Sequence, residues 1–429
     1  MTSTKLSFFG MSHLGLVYST VYAHQGFDVL CYDPSQSLVL NLKNGLFPIN
    51  EPGLDELALT NKERITYSNK LEDASLCDLA FLSLDVATDE HGNAILDNLE
   101  QLIEQMDSVL PSHVPLIILS QIPIGFCETK LKSMSRVLIY QVETLVFGNA
   151  LSRAIAPERI IIGFSSTTAK LPANYLLTLQ TFDCPKFTMS YKSAELCKMA
   201  INFFLASTIT STNFLSEICE IVGANWNEVT PALKLDQRIG KFAYLSPGLG
   251  ISGGNLERDI NALRKVAATN HSQCEKFAKV ILEMSTYQKG WAQKYVRELI
   301  EKSKRNQNVI GLWGLSYKEN TDSMKNSPSV EFLKSLPNNV QVVAFDPLVK
   351  SLPISNPNST LAEDHMAMLE KVDALFILTP WEHFKKNLSD VLRAFNGSLI
   401  VDPYSCIVMD VEIPPSVSLV VLGNANATS

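Results

Sequence analysis

The sequence has no CxxC pair, no grouping of His and Cys at ligand spacing, no long basic run, and no apolar run reaching the ~18 residues of a membrane span. Each absence excludes something. The eight cysteines, Cys31, Cys77, Cys127, Cys184, Cys197, Cys219, Cys274 and Cys406, are scattered, which excludes a zinc ribbon and a disulfide framework and leaves them as thiols, most of them expected to be buried. His13, His24, His91, His113, His271, His365 and His383 show no ligand spacing either, so no metal site is expected. A formal net charge of -8 without basic clusters gives no electrostatic footprint for nucleic acid or an acidic membrane surface. An anionic small molecule would need positive groups gathered locally.

What is present is an ordinary globular composition, with 46% hydrophobic and 19% charged residues, so the chain is expected to fold throughout apart from a frayed tail after Gly423. Its 429 residues exceed the ~250 to 300 that a single core organises, so two or three domains are expected. The opening Met1-Thr-Ser-Thr-Lys5 runs into an apolar strand without a cleavage site, and the reducing cytoplasm is the expected location.

Lys5-Leu-Ser-Phe-Phe-Gly10, then Met11 to Gly26, then Phe27-Asp-Val-Leu-Cys-Tyr-Asp33 reads as strand, glycine turn, helix and strand. Short apolar runs at Leu79 to Leu84 and Pro115 to Ser120 alternate with helical patterns such as Leu99 to Leu110, the rhythm of a parallel sheet with helices on both faces. A second set, Asn308 to Leu315, Val340 to Asp346, Ala374 to Thr379 and Ser398 to Asp402, repeats it. Phe27-Asp-Val-Leu-Cys-Tyr-Asp-Pro34 parallels Val340-Gln-Val-Val-Ala-Phe-Asp-Pro347 closely enough to suggest internal duplication, although coincidence at this length stays open. Between the sets, Lys192 to Val222 lacks Pro and Gly and keeps apolar residues at helical spacing, which predicts one long helix. Asp259 to Glu301 reads as further helix. The expected architecture is α/β: two Rossmann-like doubly wound domains, 1–190 and 303–429, joined by a long central helix and a helical middle domain, 191–302.

Gly10-Met-Ser12-His13-Leu14-Gly15 sits between strand and helix, where glycines permit a tight turn and the helix N-terminus faces a pyrophosphate. The middle glycine of that pattern is Ser12. Asp33, at the end of the next strand, lies where an acid would bond the adenosine ribose 2′-OH, favouring NAD over NADP; a helix-capping aspartate on a ligand-free turn is the alternative. Lys198 and Asn202, one helical turn apart, could jointly hold an oxyanion, or simply share a solvated helix face. In Leu245-Ser-Pro-Gly-Leu-Gly250-Ile-Ser-Gly253-Gly254-Asn255-Leu-Glu-Arg258-Asp259 the glycines let backbone approach a bulky ligand. Arg258 could pair with a phosphate or carboxylate and Asp259 act as general base directly or through water, or both could cap the following helix from its first turn. Lys318, after the first strand of the second set, could neutralise a second phosphate or be an exposed loop lysine.

The order of these motifs resembles the UDP-glucose/GDP-mannose dehydrogenase family from Gly10 to Asp402. The resemblance is carried by Gly10 to Gly15, Asn50-Glu-Pro-Gly-Leu54, Ser120 with Ile122-Pro-Ile-Gly125, Ala156 to Gly163, Ala194 to Asn202, Arg238-Ile-Gly240, the 245–259 loop and Gly314 to Asp322. It implies an N-terminal NAD domain, with Ser120 among its cofactor residues, and a central helix at a dimer interface. It also implies a C-terminal domain that holds the nucleotide of a sugar donor, by default a UDP-hexose. By the same matching, Lys198, Asn202 and Asp259 keep family active-site positions, Glu143, Leu245, Gly250, Gly253, Gly254, Arg258 and Lys318 line the substrate, and Arg238 reaches a neighbouring subunit's substrate.

Family members usually oxidise the sugar C6 alcohol to a carboxylate with two NAD through a cysteine-bound intermediate, and here the resemblance has gaps. Asn255 stands at the cysteine position, Gln121 at that of a water-placing threonine, and Phe147 at that of an acid used in hydrolysis. Val142 replaces a proline, and Ser323 and Lys325 replace an acid and an arginine. Covalent catalysis needs nucleophile, water and base together, so three changes in one half-reaction lead to the expectation of an NAD-dependent oxidoreductase confined to two-electron chemistry. A full four-electron dehydrogenase, a non-catalytic nucleotide-sugar-binding protein, and a redox-neutral epimerase holding NAD remain open alternatives.

Overall fold

The computed structural model describes residues 4–89, 93–165, 170–303, 307–353 and 358–424 of the chain. His91 and the last five residues of the expected frayed tail lie outside that set. The chain divides into two compact units, Met1–Ile201 and Asn202–Ser429.

The first unit is built on eight strands, β1 (Lys5–Phe9), β2 (Asp28–Tyr32), β3 (Ile65–Ser68), β4 (Leu79–Leu82), β5 (Leu116–Ile118), β6 (Leu138–Val142), β7 (Ile160–Phe164) and β8 (Lys186–Ser190). They lie in the order β3-β2-β1-β4-β5-β6-β7-β8, parallel except where β7 runs against β6. Strands β4 and β5 are wholly apolar and wholly buried because helices cover both faces of a parallel sheet. One face packs on the His13–His24 helix through Phe8, Val17, Val21 and Phe81, and the other on the Asp97–Val109 helix through Leu99, Ile103 and Met106.

In the second unit β9 (Asn308–Trp313), β10 (Val340–Phe345), β11 (Ser359–Leu361), β12 (Ala374–Ile377), β14 (Leu399–Val401) and β16 (Ser418–Val420) form a parallel sheet ordered β11-β10-β9-β12-β14-β16. The short strands β13 (Lys386–Asn387) and β15 (Ile407–Val408) pair separately. This repeats the order of the first six strands of the other unit, so the expected doubly wound α/β class is the one observed in each. The parallel extends to detail: Gly10 N bonds Tyr32 O at 2.9 Å with φ 94°, and Gly314 N bonds Phe345 O at 2.8 Å with φ 96°.

The long helix spans Tyr191–Val222, as the absence of breakers predicts. Among the described residues no helix is long and apolar enough to cross a membrane. After a short helix at Trp226–Leu235, three more follow, Asn255–Thr269, Cys274–Lys289 and Gln293–Lys302. The Asn255–Thr269 helix begins four residues before the Asp259 start read from the sequence, because Gly254 is its N-cap and Asn255 its first residue. Asp259 therefore belongs to the second turn, beyond the first-turn amides that the capping alternative required. Asn424 forms a bridge with Asn225 and Gly423 O accepts from Trp226 N, so the chain stays tied down one residue past the point where fraying was expected.

Candidate active site

In the first unit the glycine turn is closed by a carboxylate. Asp33, buried just beyond β2, accepts from Met11 N at 2.9 Å through Oδ2 and from Ser35 N at 2.9 Å through Oδ1, joining the turn to the start of the next helix. Gly15 is required because a Cβ there would stand 2.0 Å from Gly10 O, where helix and strand pack backbone to backbone. These features fit a dinucleotide cradle. Ser12 Oγ donates to Ser83 O at 3.0 Å and accepts from Asp85 N at 2.9 Å, and His13 N donates to Asp85 Oδ2 at 3.0 Å. The buried His13 ring pairs with Glu51 Oε2 at 3.0 Å and stacks on Phe147 with centroids 4.1 Å apart. Glu51 also accepts from Gly148 N and Ala150 N, which fixes the loop beneath that stack. Leu14 is buried in the helix, and Ser120 is buried beside β4 with its hydroxyl 3.4 Å from Leu82 O.

Lys198, buried on the long helix, pairs with Glu143 Oε1 at 2.6 Å and also donates to Glu143 O at 3.1 Å. Glu143 Oε2 accepts from Leu145 N at 2.9 Å. The ammonium is thus held in one position by the strand end after β6.

One turn later on the same helix, in the second unit, Asn202 Nδ2 donates to Asp259 Oδ2 at 2.6 Å, and Arg258 Nε lies 3.3 Å from Asp259 Oδ1. All three side chains are buried, as is Lys198, so the solvated helix face considered for Lys198 and Asn202 is not where these side chains lie. Asn255, at the helix start, is exposed. The glycine loop before it is pinned from several sides. Leu245 O accepts from Trp226 Nε1 at 2.7 Å, Ile251 N donates to Ser285 Oγ at 2.9 Å, and Asn326 Nδ2 donates to Gly253 O at 2.8 Å. Gly250 has φ 80° and a Cβ there would lie 2.6 Å from Ser285 O, so only glycine passes. Gly254 lies against the Lys325 side chain, whose ammonium is pushed below its ordinary range by burial and by the Arg258 charge. Lys289 bridges Glu257 at 2.9 Å and Asn326 at 2.6 Å, tying helix start to loop.

Lys318 is half-buried with its ammonium 5.7 Å from the Tyr317 ring centre, following β9 at the carboxyl ends of the second sheet. A cavity of about 600 Å³ opens at the same end, lined by Trp226, Leu245, Pro247, Glu319, Tyr404 and Ser405 among others. Arg238 stands apart, exposed and forked onto Asp236 at 3.0 and 2.6 Å. The structure therefore gathers Lys198 with Glu143 in one unit, and Asn202, Asp259, Arg258 and the glycine loop in the other.

Sequence reasoning passed over Asp85, Lys289, Asn326 and Tyr404. Each is a single polar or aromatic residue without periodic context, and only tertiary contact reveals it. Glu51 was visible within the Asn50 to Leu54 motif, but without its partner His13.

Comparison with known proteins places these parts in order. Residues 4–178 match the NAD binding domain of the UDP-glucose/GDP-mannose dehydrogenase family, 192–285 its central domain and 311–409 its UDP binding domain. The chain is similar to UDP-glucose 6-dehydrogenase TuaD of Bacillus subtilis, 28% identical over 417 residues that cover 93% of this chain and 88% of that one. It is likewise similar to UDP-glucose 6-dehydrogenase of Rickettsia typhi, 26% identical over 421 residues covering 92% and 94%. A solved UDP-glucose dehydrogenase from the hyperthermophilic archaeon Pyrobaculum islandicum matches with a TM-score of 0.83 at 26% identity, over 93% of this chain and 94% of that one. The turn at Gly10 to Gly15 falls in the NAD binding domain, and NAD is its cofactor. With three consecutive domains matched in order along nearly all its length, the chain belongs to the UDP-glucose/GDP-mannose dehydrogenase family.

Proposed function

We propose that the protein is an NAD-dependent oxidoreductase that acts on a CH–OH group of a nucleotide sugar, a UDP-hexose by preference, and stops after two electrons. NAD, when bound, supplies a hydride acceptor, and Gly10 to Gly15 with Asp33 and Ser120 would hold it. The chain's own groups do the rest. Lys198 stabilises the alkoxide that develops as the hydroxyl proton leaves, Asn202 orients the oxygen, and Asp259 takes the proton directly or through water. Loss of one hydride and one proton leaves a carbonyl.

The observation that carries this reading is Asn255 at the exposed start of the 255–269 helix, the position at which the resemblance implies the family's cysteine. A carboxamide does not add to an aldehyde to give the tetrahedral thiohemiacetal that a second hydride transfer requires. Phe147 supports it, because at the matched position of a hydrolytic acid it offers a ring that stacks on His13. In this reading 1–190, 191–302 and 303–429 are the cofactor, central and nucleotide domains. The exposed Phe204, Ile221 and Val222 of the long helix are covered in a homodimer, where Arg238 reaches the partner's substrate. With its described cysteines all unpaired, the protein works in a reducing cytoplasm.

The test is carbonyl trapping. Incubation with NAD, UDP-hexoses and hydroxylamine should give a nucleotide-sugar oxime, whereas a uronate formed despite the trap would overturn the two-electron limit. A second reading, binding without turnover, is favoured by the close pairing of Lys198 with Glu143. It predicts sugar-nucleotide binding and no oxime with any substrate.

A further inference from the structure

The first amide of the His13–His24 helix already carries an anion. His13 N donates to Asp85 Oδ2 at 3.0 Å, and Asp85 N in turn donates to Ser12 Oγ at 2.9 Å. Ser12 Oγ also reaches Ser83 O at 3.0 Å, so one hydroxyl fastens the segment after β4 to the glycine turn. Such a turn binds a dinucleotide because its opening amides and the helix dipole face the pyrophosphate, and the middle position is ordinarily glycine so that the phosphates can come close. Here that position bears a side chain, and the side chain holds an acid against the adjoining amide.

We infer that Asp85 occupies the pyrophosphate seat of the cofactor site: its carboxylate stands in for a phosphate oxygen on His13 N, and Ser12 keeps it there. The inference rests on the reading of this unit as the NAD-binding one. A dinucleotide entering the cradle must displace that carboxylate or bind beside it against like-charge repulsion. The His13 ring and the Lys198 ammonium are each already paired with a carboxylate, Glu51 and Glu143 respectively. Asp85 is itself exposed, so it has room to swing out. Asp85 is thus an affinity- and specificity-determining residue. It disfavours ligands with a pyrophosphate at this point and leaves the adenosine half of the cradle unaffected.

The test compares the full-length protein with Asp85→Ala, Asp85→Asn and Ser12→Gly. NADH is titrated by fluorescence, ADP-ribose and adenosine by calorimetry, and folding is checked by circular dichroism. Asp85→Ala should tighten NADH and ADP-ribose by about tenfold or more, the scale expected from removing a charge beside a diphosphate. Adenosine affinity should stay unchanged. Asp85→Asn, which keeps the acceptor but loses the charge, should tighten both less, and Ser12→Gly should tighten both by freeing Asp85. Unchanged NADH affinity in folded Asp85→Ala, with the unmodified protein binding NADH, overturns the inference alone. Equal tightening of adenosine also overturns it, because the effect would then not act at the pyrophosphate. If no form binds NADH or ADP-ribose, the inference and the cofactor reading fall together.

Discussion

Asn202 and Asp259 meet amide to carboxylate at 2.6 Å, both buried, with Arg258 on the other carboxylate oxygen. A carboxylate this enclosed is held by its partners, and it is the group proposed to take the substrate proton. Asp259→Ala should abolish turnover and, by removing the charge that Arg258 pairs with, lower folding stability by about 3 kcal/mol or more. Asp259→Asn should also abolish turnover at a smaller stability cost. Denaturant unfolding beside NADH formation separates the two effects, and full activity in Asp259→Asn would remove Asp259 from the chemistry.

On the proposed reading, Asn255→Cys would supply a nucleophile without the groups proposed for hydrolysis, since Gln121 and Phe147 remain. The variant should form a covalent sugar adduct that accumulates and is detected by intact-protein mass spectrometry, with a burst of NADH and slow release. An absent adduct would show that the cysteine position is not aimed at the substrate.

Gly250 has φ 80°, and a Cβ there would press on Ser285 O at 2.6 Å. Gly250→Ala should cost about 2 kcal/mol through strain in the loop. The loss should appear as a lower Tm and weaker nucleotide-sugar binding. A neutral substitution would mean that the loop relaxes freely.

His365 is buried against Trp313 and Phe345, and desolvation, followed by the His383 and Lys386 charges, lowers its pKa to about 4. The unfolded chain, with an ordinary histidine, binds the proton first as pH falls. Stability is therefore complete above the unfolded pKa and declines between about pH 6.5 and 4, by roughly 3 kcal/mol at most. His365→Leu should flatten that part of the stability profile in chemical unfolding at successive pH values. An unchanged slope would assign the acid sensitivity elsewhere.

Much of the fold was legible because buried parallel strands are short apolar runs that end at turn residues, as Leu79 to Leu82 and Leu116 to Ile118 do. The long helix was legible because nothing from Lys192 to Val222 breaks it. The start of the 255–269 helix was not, since glycines chosen for close approach hide the point where helical geometry begins, and Gly254 serves as both loop and N-cap. The site was legible only as single residues. Lys198 and Glu143 lie 55 positions apart, and Asn202 and Asp259 lie 57 apart, so their pairing is a product of the fold and not of spacing. Asp85 left no trace in the pattern, because one acid after a buried strand looks like any loop residue.

In the proposed reaction, oxidation stops at the carbonyl. The most direct measurement follows NADH absorbance and product mass in the same reaction, across a panel of UDP-, GDP- and TDP-sugars. One NADH per product, with the sugar lighter by two hydrogens, is the predicted result. Two NADH per product, with the sugar carried to the acid, would contradict it.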